Sequence, residues 1–258
     1  MTQLERPNLA LLATRKATEG FAVFVTRAPC GHKIVGNYDM TTVFPVYRYT
    51  VEDEAEPSLI SESKEVNFSP PFLKRLSEIL QLKLSDRTLT GLTPEDIFHY
   101  AYAMFHSPGY RHRYAEFLKI DFPRLPLTQS LELFRALARF GGELVALHLM
   151  ESSRLDNLVT EFVGRRNVEV EKAAWSKKTV WIDKDETAGF RGVPEDVWNF
   201  HIGGYQVCEK WLKDRKGRVL TKGDIEHYHR IVVSLSETIR IMAEIDKVIE
   251  KHGGWPIK

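Results

Sequence analysis

The chain has 258 residues, which is enough for one large domain or two small ones with a buried core. Hydrophobic residues make up 43% and charged residues 28% of the sequence, as in ordinary globular proteins. Its 36 Lys and Arg nearly balance its 35 Asp and Glu, so that a histone-like or a strongly acidic protein is excluded, whereas a local basic face is not.

The cysteine content and the N-terminus favour a cytoplasmic location. Cys30 and Cys208 alone make no disulfide framework, so we expect both thiols to be reduced. The sequence begins MTQLERP, without the apolar run of a signal peptide, and no apolar stretch has the length of about 18 residues that a membrane helix needs. We therefore expect no membrane contact.

The first 50 residues have β character. Runs rich in aromatic and β-branched residues predict strands over 9–14, 21–26, 32–35 and 43–49. Pro45 cannot donate to a strand ladder, so we expect the last strand at a sheet edge or at a bulge. The segment that follows, residues 51–67, contains six Asp and Glu residues and few apolar residues, which indicates an exposed loop or linker.

Helices dominate the rest of the chain. Ser69-Pro70 and Thr93-Pro94 are N-terminal signals that predict helices over 70–82 and 94–106. Hydrophobic spacing predicts further helices, and Pro and β-branched residues predict an extended segment and strands between them. The predicted helices cover 110–118, 130–150, a segment ending at 212, and 222–252; the extended segment is 122–126, the strands 179–183 and 189–193, and a helical turn 194–198.

This segregation of elements favours an α+β fold over a doubly wound sheet. The expected architecture is an N-terminal β-rich part followed by helices, a short second β segment and a long C-terminal helix. We expect a single domain over residues 1–258. Its subregions would be 1–50 (β-rich), 51–67 (acidic linker), 68–154 (helical), 155–204 (mixed) and 205–258 (helical).

No familiar catalytic motif occurs in the sequence. It contains no phosphate loop, dinucleotide fingerprint, C-x-x-C, H-E-x-x-H or nucleophile elbow, and no Asn-Pro-Pro-Tyr of the amino-methyltransferases. His227 and His229 are poor metal ligands because helical residues two apart point about 200° apart, and His99, His106 and His112 are weak candidates too. We expect no catalytic residue, no metal and no cofactor in this chain.

Two basic segments favour contact with nucleic acid. Six cations between residues 210 and 222 are opposed by Asp214 alone, which suits contact with DNA phosphates, although a solvated helix end explains the pattern as well. A second set follows the N-terminal strands, where Arg and Lys read guanine edges and Thr14 or Asn37 read other bases, unless it is ordinary surface decoration. The candidate DNA-binding residues are Thr14, Arg15, Lys16, Arg27, His32, Lys33, Asn37, Lys210, Lys213, Arg215, Lys216 and Arg218.

Several long segments together resemble one family. They include FAVFVT at 21–26, GHKIV at 31–35, TPEDI at 93–97, FLKIDFPRLP at 117–126 and VWNFHIGGYQV at 197–207. From about residue 7 to 252, the chain resembles the C-terminal target-recognition domain of Type ISP restriction-modification enzymes. These are single polypeptides that carry nuclease, translocase, methyltransferase and recognition parts in a row. The Pro-Arg-x-Pro arrangement is also similar to the recognition domains of Type I and Type IIG enzymes.

The resemblance implies double-stranded DNA and the methyltransferase and translocase modules of the same system as partners. Since the family's catalytic modules lie upstream of this region, it also implies that the chain alone is no enzyme. The first hypothesis is a module that docks in the major groove, reads a short asymmetric site and places an adenine for a base-flipping methyltransferase. The alternative is an interaction or remnant domain, which binds a methyltransferase partner without reading DNA alone and should expose an apolar patch. An independent hydrolase built on the histidines is a distant third.

Overall fold

The computed structural model describes residues 2–18, 20–31, 33–35, 40–52, 61–165 and 167–257. The chain forms two compact units. Unit 1 comprises Met1–Val145 with Met242–Lys258, and unit 2 comprises Ala146–Ile241. A division into compact units does not by itself define domains, so the single domain over 1–258 and its subregions stay a prediction.

Unit 1 begins with a three-stranded antiparallel sheet. It consists of β1 (Ala10–Thr14), β2 (Val23–Thr26) and β3 (Thr41–Pro45), in the order β2-β1-β3. The expectation that Pro45 lies on an edge strand is confirmed, since β3 is outermost and Pro45 is its last residue. The strand predicted over 32–35 is wrong for residues 33–35, which are not in a strand and bend at 34–35, and residue 32 lies outside the described residues.

A polar hairpin follows this sheet. β4 (Tyr47–Glu52) pairs with β5 (Ser61–Val66), and residues 53–60 between them lie outside the described residues. The strand predicted over 43–49 is confirmed except at Val46, where the chain bends between β3 and β4. The loop predicted over 51–67 is wrong at 51–52 and 61–66, which are strand residues. The strands β4 and β5 also make polar contacts, as in the pair of hydroxyls of Thr50 and Ser63 at 2.5 Å.

Helices complete unit 1. They are α1 (Pro70–Leu80), α2 (Pro94–His106), α3 (Pro108–Arg113), α4 (Ala115–Leu118) and α5 (Leu131–His148), whose last turn belongs to unit 2; the strands β6 (Leu84–Ser85) and β7 (Thr88–Leu89) lie between α1 and α2. The predicted start of α2 is confirmed, because the Thr93 and Asp96 side chains form a reciprocal capping box. Ser69 stands at the N-cap of α1 without a side-chain cap bond. The single helix predicted over 110–118 is broken at Tyr114.

Unit 2 is built on a four-stranded antiparallel sheet. Its strands are β8 (Glu161–Val163), β9 (Ala174–Ser176), β10 (Thr179–Trp181) and β11 (Gly189–Arg191), in the order β8-β11-β10-β9. They are followed by α6 (Glu195–Trp198), β12 (His201–Ile202), β13 (Tyr205–Gln206), α7 (Val207–Lys213) and α8 (Lys222–Lys251), which continues into unit 1. The predicted α+β class and the long C-terminal helix are confirmed.

The sheet of unit 2 packs on the first half of α8. Val180, Phe190 and Tyr228 are fully buried, and the rings of Phe190 and Tyr228 lie 4.1 Å apart between centroids. Partly buried Trp175 and Trp198 pack against the same cluster. The burial of several large apolar side chains is a strong stabilising contribution, and it fixes the loops that leave the sheet.

Candidate nucleic-acid interface

The N-terminal cations divide into two positions on the three-stranded sheet. Arg15 and Lys16 directly follow β1, whereas Arg27 directly follows the antiparallel strand β2. The last residue of β2 pairs with Ala10, the first residue of β1, so that Arg27 lies at the opposite end of the sheet from Arg15. All three side chains are exposed, and this register separates Arg27 from Arg15 and Lys16.

Lys33 lies at the same end of the sheet as Arg15. The backbone N–H groups of the two residues after Lys33 donate hydrogen bonds to the Thr41 hydroxyl at 3.1 and 3.3 Å. Thr41 in turn pairs with the last residue of β1, after which Arg15 and Lys16 follow. These three exposed cations, Arg15, Lys16 and Lys33, are called the sheet-end cations below.

Thr14 is the last residue of β1, at the same end of the sheet, and is only 7% exposed. His32 and Asn37 lie outside the described residues. Arg27 is exposed at the far end of the sheet.

An apolar surface lies beside Arg15. The Arg15 Nε donates to Asp121 Oδ1 at 3.2 Å, and the segment that ends at Asp121 carries Phe117 and Ile120, which are 68% and 64% exposed. Both side chains line a groove of about 460 Å³, here called the Phe117 groove. Its remaining lining residues are Tyr110, Tyr114, Leu118, Asp121, Phe122, Arg124, Leu125 and Pro126. Exposed apolar patches of this kind are typical of interaction sites.

Ion pairs engage the lysines of α7. Lys210 Nζ lies 2.5 and 2.6 Å from the two carboxylate oxygens of Asp214, and Lys213 Nζ lies 2.9 Å from Glu209 Oε2. Both pairs join residues four apart on the helix surface. Because a carboxylate offsets each ammonium group, these two lysines offer a phosphate less net charge than the sequence pattern predicts.

Arg215 is held by the fold. Its guanidinium lies 3.4 Å from the centroid of the Trp211 ring, and its Nε donates to Asp224 Oδ1 at 3.3 Å. Asp224 also accepts bonds from the Thr221 hydroxyl and backbone, and these bonds together with Arg215 lower the pKa of the Asp224 carboxyl. The Thr221–Asp224 pair caps the start of α8. Arg215 therefore orders the turn between α7 and α8.

The turn after Arg215 carries two cations, Lys216 and Arg218. The Gly217 N–H donates to the Val170 carbonyl at 2.8 Å, and the Val170 N–H donates to the Arg218 carbonyl at 2.9 Å. Gly217 has a φ of 77°, which favours glycine at this position. Lys216 and Arg218 are exposed, and within the described part of the chain neither side chain makes a hydrogen bond or an ion pair. They are the unpaired members of the basic segment.

Sequence reasoning missed a further pair of cations, Lys177 and Lys178, at the tip of the β9–β10 hairpin. Both are exposed. The available signal was the spacing, since two residues separate two short runs with strand character. The sequence Lys-Lys does not indicate a hairpin turn, because two-residue turns are usually recognised by Asn-Gly or Asp-Gly.

Two of the candidate histidines, His106 and His229, have hydrogen-bond partners within the fold. His106 Nδ1 lies 2.8 Å from the Tyr102 carbonyl oxygen, and His229 Nδ1 lies 2.6 Å from the Thr160 hydroxyl. Among the described residues, no three His, Cys, Asp or Glu side chains come together as a group able to hold a metal ion. Within the same residues, no helix combines the length and the apolarity that a bilayer crossing requires.

Three solved structures share this fold. The chain has a TM-score of 0.63 and 17% identity to the ATP-dependent Type ISP restriction-modification enzyme LlaBIII bound to DNA, with coverage of 98% of this chain and 16% of that one. The TM-score to the DrdV–DNA complex is 0.62 at 21% identity, and the match covers 92% of this chain and 24% of that one. The TM-score to a nuclease-deletion mutant of the Type ISP enzyme LlaGI in complex with a DNA substrate mimic is 0.61 at 18% identity. This match covers 98% of this chain and 22% of that one. The fold is thus one that these enzymes carry as a fraction of a much longer chain.

The family of this chain follows from its match to a family model. The model of the Type ISP C-terminal specificity domain matches residues 1–244. The chain belongs to this family, as its sequence resemblance implied. A comparison with curated protein sequences gives no match.

Proposed function

We propose that the chain recognises a specific sequence in double-stranded DNA for a restriction-modification enzyme that also carries adenine methyltransferase and endonuclease modules. The observation that carries this proposal is the match to the specificity-domain family over residues 1–244. The shared fold with enzymes described as bound to DNA supports it. The chain spans about a sixth to a quarter of the length of those proteins, so the catalytic modules belong to other parts of such an enzyme.

The sheet-end cations supply one DNA contact of this proposal. Arg15, Lys16 and Lys33 project from loops on a rigid antiparallel sheet, which is the arrangement that presents side chains to base edges and phosphates. The Arg15–Asp121 ion pair is exposed, so that Arg15 exchanges this partner for DNA at little cost. Arginine and lysine in such loops read the O6 and N7 atoms of guanine.

The α7–α8 turn supplies a second contact. Lys216 and Arg218 have no partner in the described chain, and backbone bonds to Val170 hold the loop between them in place. Cations that neutralise phosphates release condensed counterions, which gives affinity and fixes the orientation of the module on the duplex. Lys210, Lys213 and Arg215 act mainly within the fold, where their carboxylate and ring partners hold them.

In this proposal the chain performs no chemistry. A methyltransferase module of the same enzyme extrudes the target adenine, and the specificity module fixes the register of the duplex for it. The proposal assigns no catalytic residue, metal or cofactor to these 258 residues.

The direct test selects bound duplexes from a randomised library. The purified chain is incubated with the library at about 50 and 200 mM salt, and the bound fraction is sequenced. The proposal expects an enriched motif and an affinity that falls steeply as salt rises. Absence of DNA binding at the lower salt concentration would contradict recognition by this chain.

The Phe117 groove favours a second function, which is the docking of another module of the same enzyme. Phe117 and Ile120 expose more apolar surface than a solvated loop requires, and the similar enzymes continue for several times the length of this chain. We infer that the methyltransferase module covers this groove. Replacing Phe117 and Ile120 together by Ser should weaken binding of the separately purified methyltransferase module at least tenfold, while wild-type affinity for that module in the double variant would contradict the docking.

A further inference from the structure

The β9–β10 hairpin turns on two lysines. Thr179 pairs with Ser176, so that Lys177 and Lys178 form the complete two-residue turn. Their φ angles are 48° and 61°, in the left-handed region. Hairpin turns with two such residues usually contain Asn-Gly or Asp-Gly, because a Cβ disfavours this backbone conformation. A dilysine turn therefore sits where the backbone geometry opposes it, which is a mark of functional constraint.

The turn is fixed to the core of unit 2. The backbone N–H groups of Gly192 and Val193 both donate to the Lys178 carbonyl, at 2.8 and 2.9 Å. Thr179 and Val180, directly after the turn, are 4% and 0% exposed. The direction in which the turn projects is thus set by buried neighbours, and little conformational freedom remains to be lost when it binds a ligand.

The two ammonium groups have no partner among the residues that the structure describes. Both lysines are exposed, and within the described residues neither side chain makes an ion pair, a hydrogen bond or a ring contact. By contrast, Arg191 on the same sheet binds Glu161 at 2.8 Å. Two adjacent free cations on a rigid tip are suited to an extended polyanion rather than to a single carboxylate.

We propose that the Lys177–Lys178 turn contacts phosphates of the duplex. This contact rests on the proposed function and adds a third cationic position to the sheet-end cations and the α7–α8 turn. It positions the module without reading bases, because phosphate contacts carry no direct sequence information.

The test replaces the turn by the sequence that its backbone favours, Lys177→Asn with Lys178→Gly. Binding of the full chain to a 30-base-pair duplex of mixed sequence is followed by fluorescence anisotropy between about 50 and 300 mM salt. Losing two phosphate contacts should lower the slope of log K against log salt by about 1.8, which is about 60-fold in affinity at 0.1 M salt. The thermal midpoint should rise by roughly 2–4 °C, because Asn-Gly relieves the unfavourable turn.

Two further variants make the outcome specific. Replacing both turn lysines by Arg keeps the charge and should keep the salt slope. Lys74→Gln with Lys83→Gln removes two exposed lysines of unit 1 and should change the slope far less than the turn variant.

If the wild type binds DNA in a salt-dependent way and the Asn-Gly variant has the same slope of log K against log salt, the phosphate contact of the turn is overturned and the proposed function is not. Equal losses in the Asn-Gly variant and in the Lys74–Lys83 variant would also overturn it, because the effect would then reflect net charge. A wild-type chain that binds no duplex at the lowest salt concentration would overturn the proposed function together with it.

Discussion

Removing the positive charges of the α7–α8 turn should lower both the affinity for DNA and the dependence of that affinity on salt concentration. Lys216 and Arg218 are the cations of the 210–222 segment that lack any side-chain partner in the described chain and stand on a loop bonded to Val170. We therefore expect the double variant Lys216→Gln with Arg218→Gln to lose phosphate contacts while the loop keeps its backbone bonds.

The size of the effect follows from counterion release. Each phosphate contact contributes about 0.9 to the slope of log K against log salt, so the loss of two contacts lowers the slope by about 1.8. The assay is a titration of a mixed-sequence duplex with wild-type and variant chains at four salt concentrations between about 50 and 300 mM. Circular dichroism melts of the same samples show whether the variant remains folded.

A matched control removes an ion pair from the same segment. Lys210→Gln with Asp214→Asn deletes the pair at 2.5 Å and leaves the net charge unchanged. We expect this control to keep the wild-type slope and to lose at most about 0.5 kcal/mol of stability, the value of an exposed pair four residues apart on a helix. A slope that falls in the control and stays unchanged in the Lys216–Arg218 variant would refute the assignment of free and paired cations.

Two further predictions concern the scaffold. Gly141→Ala should lower the free energy of unfolding by about 1–3 kcal/mol in urea titrations, because the added Cβ would lie 1.8 Å from the His99 carbonyl oxygen. A loss below about 0.3 kcal/mol would contradict that close approach. Burial raises the pKa of Asp183, but hydrogen bonds from Thr187 and Ala188 outweigh it and lower the pKa, so this carboxylate stabilises the fold above pH of about 4 and the stabilisation is lost as pH falls further. In Asp183→Asn, the free energy of unfolding should fall less between about pH 5 and 3 than in the wild type. An unchanged dependence of this free energy on pH would contradict stabilisation by the Asp183 carboxylate.

Local chemistry made much of the fold predictable. Thr93-Pro94 identified the start of α2 because the cap is a contact between residues three apart, and Pro45 indicated an edge strand because proline lacks a donor. The strand β5 was hidden for a different reason, since its sequence SESKEV is polar and has no period-2 apolar pattern.

The candidate interface was predictable in composition and not in arrangement. Arg15 and Arg27 follow neighbouring strands in sequence, yet the antiparallel register places them at opposite ends of the sheet. This separation depends on the strand register, which a linear pattern does not encode. The pairing of Lys210 is local, because Asp214 lies four residues further along the same helix, whereas Lys216 has no carboxylate partner among the described residues.

The central claim is that this chain selects a DNA sequence. The measurement that tests it most directly compares the affinity of the purified chain for a library-enriched duplex with its affinity for a scrambled duplex of equal length and composition, both at about 0.1 M salt. Sequence recognition predicts a ratio of about 10³ or more, and a loss of about 1–3 kcal/mol for single base-pair changes within the motif. Equal affinities for the enriched and the scrambled duplex would contradict the claim.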